Sequence, residues 1–308
     1  MSSPAGHSHT GLNLPEGIEE LGLDLQGSHI RYLCGGTGPA LLFIHGLLGY
    51  SFSWRFNLPV LAKHRTVYAP DLLGAGFSDR PPGLDCSLRA TALRVLQFLE
   101  ALRITACGVV GTSHGGAIAM MLAAICAQQD RVKVGRLTLV APVNPWSSHG
   151  RWITRVLGTA TGASLVRAVA PHSQFAYGRV LQRLYGDTSR IPPGTLEGYS
   201  APFEIPGAIE YPLSVVRTWR KDLKELQFLL PKIASIPTLL IWGSADRAVL
   251  PSSASRLREQ FENCNLIMLH GAGHLPYEEM PHDFNRALID FVVNKSGTET
   301  LDSKPRQL

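Results

Sequence analysis

Ser113 stands between glycines in Gly111-Thr112-Ser113-His114-Gly115. Upstream, residues 107–110 form a short apolar run of strand type; downstream, residues 117–127 are apolar and long enough for a buried helix. Strand and helix leave almost no room to turn, and glycine on both sides of Ser113 removes the Cβ atoms that would collide in so tight a corner. Such an elbow lifts the serine hydroxyl clear of the sheet. It also points the first backbone N–H groups of the helix at the place where negative charge would develop. A serine hydroxyl is a poor nucleophile at neutral pH, so this chemistry needs a histidine to take its proton and a carboxylate to orient that histidine. The carboxylate candidate is Asp246, in Gly243-Ser244-Ala245-Asp246-Arg247; the histidine candidates are His274, in Gly271-Ala272-Gly273-His274, together with His270 and His114.

These residues need a frame that brings distant loops together. Residues 40–44, 66–69, 107–110, 136–141, 237–242 and 265–269 read as strands, and residues 21–33 as two short strands around the turn Gln26-Gly27-Ser28. The spacing predicts helices over 54–61, 87–102, 117–127, 253–262 and 284–293. Strands alternating with helices point to a parallel sheet covered on both sides and joined by right-handed crossovers. In such a sheet functional groups collect past the carboxyl ends of strands, and Ser113, Asp246 and His274 all lie just past such ends.

Composition shifts at Pro142. From there to about Pro231 the strand-type runs disappear, and helix-like pieces at 152–158, 164–169, 176–185 and 215–230 are separated by Gly and Pro. The resulting division is a flexible leader 1–17, a core 18–142 and 232–296, a helical insert 143–231 and a flexible tail 297–308. Charge follows the same division. The chain carries a net +5, and between Trp146 and Lys232 eleven Lys or Arg face six Asp or Glu, while the remainder balances. The whole basic surplus belongs to that one segment, 146–232.

Two further loops carry a resemblance. His45-Gly46-Leu47-Leu48-Gly49 ends the 40–44 strand and resembles the HGxxG loop of the α/β-hydrolase superfamily. Asp71-Leu72-Leu73-Gly74-Ala75-Gly76-Phe77-Ser78 resembles that superfamily's D-x-x-G-x-G-x-S loop. The order nucleophile, acid, histidine matches as well, and the resemblance spans residues 41–293. It implies a mainly parallel eight-stranded α/β-hydrolase sheet with helices on both faces and an inserted helical cap, here 143–231, as a lid. It implies an oxyanion hole from the N–H groups of Leu47 and His114, with His45 bracing its loop and Asp71 and Asp79 as scaffold. Some members take their acid from the loop before the lid, but Pro142-Val143-Asn144 offers no carboxylate, which leaves Asp246. His274 is then the base, His270 a wall residue, and His114 part of the pocket lining.

The activity implied is that of a serine hydrolase cleaving a carboxylic ester through an acyl-enzyme, with no metal ion or organic cofactor. C–C bond hydrolysis of vinylogous diketone acids is the main alternative, beside amide, thioester or lactone cleavage and a non-catalytic ligand-binding homologue. Epoxide hydrolases and haloalkane dehalogenases place Asp where this chain has Ser113. The insert aromatics Trp146, Trp152 and Trp219 are candidates for the substrate pocket.

Composition narrows the setting. With 45% apolar and 17% charged residues, 308 residues suit one large globular domain with a sizeable core. No run reaches the length of a membrane span, and residues 1–16 lack the pattern of a signal peptide, so the expected location is cytoplasmic. Five scattered cysteines show no C-x-x-C pair, and Cys107 and Cys126 lie in apolar stretches as core residues. Without a block of like charges, nucleic acid is not an expected partner; a small-molecule substrate is.

Overall fold

The structure, a computed structural model, describes residues 14–129, 131–147, 159–169 and 174–293. Residues 1–13 of the expected leader, the expected helix 152–158 with Trp152, and the expected tail lie outside the described residues. Eight strands form one sheet: β1 (Ile18–Leu25), β2 (Ser28–Gly35), β3 (Ala40–Ile44), β4 (Thr66–Pro70), β5 (Ala106–Thr112), β6 (Lys133–Val140), β7 (Thr238–Gly243) and β8 (Cys264–Leu269). Their order across the sheet is β1-β2-β4-β3-β5-β6-β7-β8. β1–β2 and β2–β4 are antiparallel and every other pairing is parallel.

The apolar runs are continuous because both faces of the central strands are covered. Alternation along β3 sorts its side chains: Leu42 and Ile44 join Val109, Leu139 and Trp242 beneath α2 (Leu88–Ala101) and α3 (His114–Gln129). Leu41 and Phe43 join Val110, Val140 and Ile241 beneath α1 (Leu58–Leu61) and the closing helix Pro281–Val293. Helix α3 is buried from His114 through Cys126, which explains why it carries Ala and Met all round and no polar stripe.

Between β6 and β7 the described residues form helices and no strand: α4 (Ala160–Val169), α5 (Gln174–Leu184), α6 (Thr195–Ser200) and α7 (Glu210–Leu229). Helix α7 starts five residues before the expected 215, because Pro212 in its first turn needs no N–H partner there. Two expected core helices are shorter than the pattern suggests. The segment 54–61 breaks into a 3-10 turn at Ser51–Trp54 and α1, since buried Asn57 donates its amide to the Tyr277 carbonyl and to Asn285 instead of prolonging a helix. The segment 253–262 narrows to α8 (Ala254–Arg258), with Glu262 N–H drawn to the Ala234 carbonyl. The last helices are α9 (Pro276–Glu279) and α10 (Pro281–Val293).

Asp71 is a scaffold residue. Its fully buried carboxylate accepts from the N–H groups of Ser51 (2.8 Å) and Phe77 (2.9 Å) and from the Arg31 guanidinium (3.1 Å). Asp79 likewise accepts from the His29 N–H at 2.7 Å. Among the described residues, no helix is long and apolar enough to cross a membrane.

Candidate active site

Ser113 occupies the turn between β5 and α3 with φ +53°, a left-handed conformation that costs a non-glycine residue on the order of 1–3 kcal/mol. The neighbourhood enforces it. A Cβ at Gly111 would run into the Gly115 carbonyl, one at Gly115 into the carbonyls of Ile44 and His45, and one at Gly116 into Pro142. Strand β3, strand β5 and helix α3 can therefore approach this closely only through glycine. The Ser113 N–H donates to Val140 (2.9 Å) and its carbonyl accepts from Gly116 (3.0 Å) and Val143 (2.9 Å). Its hydroxyl makes no hydrogen bond among the described residues.

Half-buried Leu47 follows Gly46 and His114 follows Ser113 directly, and no backbone hydrogen bond from either N–H is made among the described residues. Gly46 brings the first of them in: a Cβ built on it would rest 3.4 Å from the Ser113 Cβ. His45 holds the loop, donating from Nδ1 to the Gly46 carbonyl (2.8 Å) while Nε2 accepts the Leu72 N–H (3.0 Å). Both ring nitrogens are thereby committed, and burial lowers the affinity of this ring for a second proton. The expected bracing role of His45 matches this arrangement.

Asp246 follows β7 and His274 follows β8, and the two meet. His274 Nδ1 donates to Asp246 Oδ2 at 2.8 Å, with the carboxylate fully buried. The other carboxylate oxygen, Oδ1, accepts the N–H groups of Ala248 (2.7 Å) and Val249 (3.0 Å). A ring that donates from Nδ1 keeps Nε2 free to accept a proton. Gly243 lets the two loops pack, for a Cβ there would strike the carbonyls of Ala272 and Gly273. No hydrogen bond joins His274 to Ser113 among the described residues. His270 is exposed rather than a wall residue, because it sits where β8 leaves the sheet for solvent.

The His114 side chain is buried, stacked on Trp219 of α7 at 6.0 Å and edge-on to Tyr211 at 6.3 Å. Its Nδ1 has no hydrogen-bond partner among the described residues. Burial first, and His45 second, push its pKa down to about 3, so the ring is neutral. The unfolded chain takes up this proton near 6.5, so stability drains away as pH falls from about 6.5 toward 3. His114→Phe preserves the stack and removes that proton. Urea unfolding at a series of pH values is expected to show a shallower acid loss for the variant, with the residual slope including His45.

Of the insert aromatics, Trp219 reaches His114, and Trp146 is half-buried against the core beneath α3. A crevice of about 20 Å³, room for about one water, lies between Leu47, Leu48, Gly74 and the insert residues Phe203 and Tyr211. Among the described residues no group of His, Cys, Asp and Glu could hold a metal ion.

Two functional candidates escaped the sequence reading. Glu279, fully buried, accepts the N–H groups of Gly186 (2.9 Å), Asp187 (2.9 Å) and Gly273, and so clamps the insert to the loop that carries His274. Glu278 beside it accepts from Tyr185 (2.7 Å), from Tyr199 and from Arg55 (3.0 Å). The His274 N–H itself donates to the Leu184 carbonyl at 2.6 Å. The available signal was two adjacent acids in an apolar context just after His274-Leu275-Pro276, a placement that requires partners.

Comparison with known proteins agrees with this frame. A family model described as the alpha/beta hydrolase fold matches residues 39–281. The chain is 26% identical over 286 residues to 2-hydroxy-6-oxo-2,4-heptadienoate hydrolase of Pseudomonas putida, covering 91% of this chain and 95% of that one. It is 26% identical over 270 residues to human monoacylglycerol lipase ABHD6, covering 86% and 78% respectively. Among solved structures, an epoxide hydrolase superimposes with a TM-score of 0.75 at 22% identity, over 89% of this chain and 98% of that one.

Proposed function

Since the chain belongs to the alpha/beta hydrolase fold family, and its relatives include a 2-hydroxy-6-oxo-2,4-heptadienoate hydrolase and a monoacylglycerol lipase, we propose that it is a serine hydrolase that cleaves a carboxylic ester. Ser113 is the nucleophile, His274 the general base and acid, Asp246 the orienting carboxylate, and the N–H groups of Leu47 and His114 form the oxyanion hole. Residues 143–231 act as a lid over the core of residues 18–142 and 232–296, with Trp146 and Trp219 beside the substrate. The observation that carries this reading is the hydrogen bond from His274 Nδ1 to buried Asp246, which leaves Nε2 as a base past the same carboxyl ends of the strands that Ser113 follows.

In the proposed cycle, substrate binding brings Ser113 Oγ and His274 Nε2 into hydrogen-bond contact. His274 takes the hydroxyl proton as Oγ attacks the carbonyl carbon, and Asp246 offsets the imidazolium charge. The oxyanion then accepts from Leu47 and His114, each donor contributing about 3 kcal/mol to the transition state. His274 returns the proton to the departing alcohol as the acyl–oxygen bond breaks. Water, deprotonated by the same ring, releases the acid and restores Ser113.

A second reading, hydrolysis of a C–C bond in a vinylogous diketone acid, is favoured by the near full-length similarity to the Pseudomonas putida hydrolase. A cytoplasmic setting belongs to the proposal too, supported by five unbridged cysteines. The test runs nitrophenyl esters of increasing acyl length beside a diketone acid, with a fluorophosphonate probe on the same preparation. Ester turnover above diketone turnover, with labelling, is the expected result; the reverse preference selects the second reading. Neither labelling nor turnover would make the chain a ligand-binding member of the family.

A further inference from the structure

We propose that the outward face of helix α7 docks on an anionic phospholipid surface. The face is defined by spacing. Arg217, Arg220, Lys221, Lys224, Gln227 and Phe228 recur at helical intervals, and each is exposed. Lys232, just past the helix, is exposed as well. The opposite face is buried through Tyr211, Val215, Asp222, Leu226 and Leu229.

What distinguishes this stripe from an ordinary solvated face is where its acids go. Glu210 is clasped by both nitrogen arms of Arg167 at 2.6 and 2.8 Å. Asp222 turns inward, accepting from the Leu88 N–H (3.2 Å) and the Thr218 hydroxyl (2.7 Å). Glu225 pairs with Arg89 at 2.5 Å. Every carboxylate of the helix is thus committed elsewhere, while Arg217, Arg220, Lys221, Lys224 and Lys232 form no ion pair among the described residues. Four of the ten cations of residues 143–231 stand on this one face.

The same stripe ends on Phe228, 79% exposed, whereas the next most exposed large apolar side chain among the described residues, Val180, stands at 43%. A row of cations along a helix lying flat, closed by one aromatic ring, fits the interface of an anionic bilayer: the cations meet headgroups and the ring enters the acyl boundary. A nucleic acid would share the charges, but a single aromatic ring offers no row of platforms on which successive bases could stack. Docking would hold at the lipid surface the very helix whose inner side carries Trp219 against His114.

The test is co-sedimentation of the full chain with phosphatidylcholine vesicles, with and without about 30% phosphatidylserine, at low and high salt. Binding is expected to the anionic vesicles alone and to vanish at about 0.5 M salt. Removing one cation should weaken partitioning about fivefold. The combined Arg220→Gln, Lys221→Gln, Lys224→Gln and Lys232→Gln variant should therefore lose at least about 100-fold, and Phe228→Ser about tenfold. All these side chains are solvent-facing, so circular dichroism and turnover of a water-soluble ester should match the wild type and confirm a folded protein. No sedimentation with anionic vesicles at low salt overturns the proposal. So does binding that survives the combined variant, or retention by duplex or single-stranded DNA without vesicle binding.

Discussion

Ser113→Ala is expected to lower ester turnover about 10⁶-fold, the loss seen when a serine hydrolase is deprived of its nucleophile. The substitution removes one atom, and that atom makes no hydrogen bond within the described protein, so nothing in the fold depends on it. The elbow keeps its cost as well, because alanine must adopt the same φ of +53° that the surrounding backbone imposes on serine. Thermal unfolding of the variant should accordingly match the wild type. Activity and covalent labelling by a fluorophosphonate should disappear together, with residual turnover limited to what the two N–H donors and substrate positioning contribute. Wild-type ester turnover by the folded variant would remove Ser113 from the chemistry.

Asp246→Asn should lower turnover about 10⁴-fold, and the contacts of the carboxylate say why. Its two oxygens have different duties: Oδ1 accepts the N–H groups of Ala248 and Val249, and Oδ2 accepts the hydrogen bond donated by His274 Nδ1–H. In the asparagine variant the carbonyl oxygen belongs at the first position, since an amide NH₂ there would face two donors. The NH₂ group is then left facing Nδ1, which must become an acceptor. The imidazole proton moves to Nε2, the nitrogen that is to receive the serine proton. The geometry survives while the tautomer is wrong, so substrate affinity should change little and kcat should carry the loss. A variant with kcat near wild type would show that Asp246 does not set the tautomer.

Part of this architecture was legible along the chain because its causes are local. The elbow at Ser113 follows from glycine placed where any Cβ would strike a carbonyl, and β3 could be read from a run of apolar side chains that both faces of the sheet bury. The loop from Asp71 to Ser78 could be taken as scaffold because Asp, Gly and Ser at that density are turn chemistry, and the three N–H and guanidinium bonds to Asp71 agree. Helix ends were read less well. Asn57 and Glu262 leave their helical patterns for partners in distant segments, Tyr277, Asn285 and Ala234, and no local periodicity registers a competing tertiary bond.

By itself, then, the order of residues determined the sheet, the corner that presents Ser113, and the candidacy of Asp246 and His274, because strand period, turn glycines and chain order are properties of neighbours. Tertiary structure alone decided which oxygen of Asp246 meets His274, and that Glu279 ties the insert to the histidine loop from 93 positions away. It alone sent the acids of α7 inward or into pairs while its cations stayed in water. The physical reason is the same in each case: a charge costs little until it is buried, and its burial and its partner exist only once separate segments have packed.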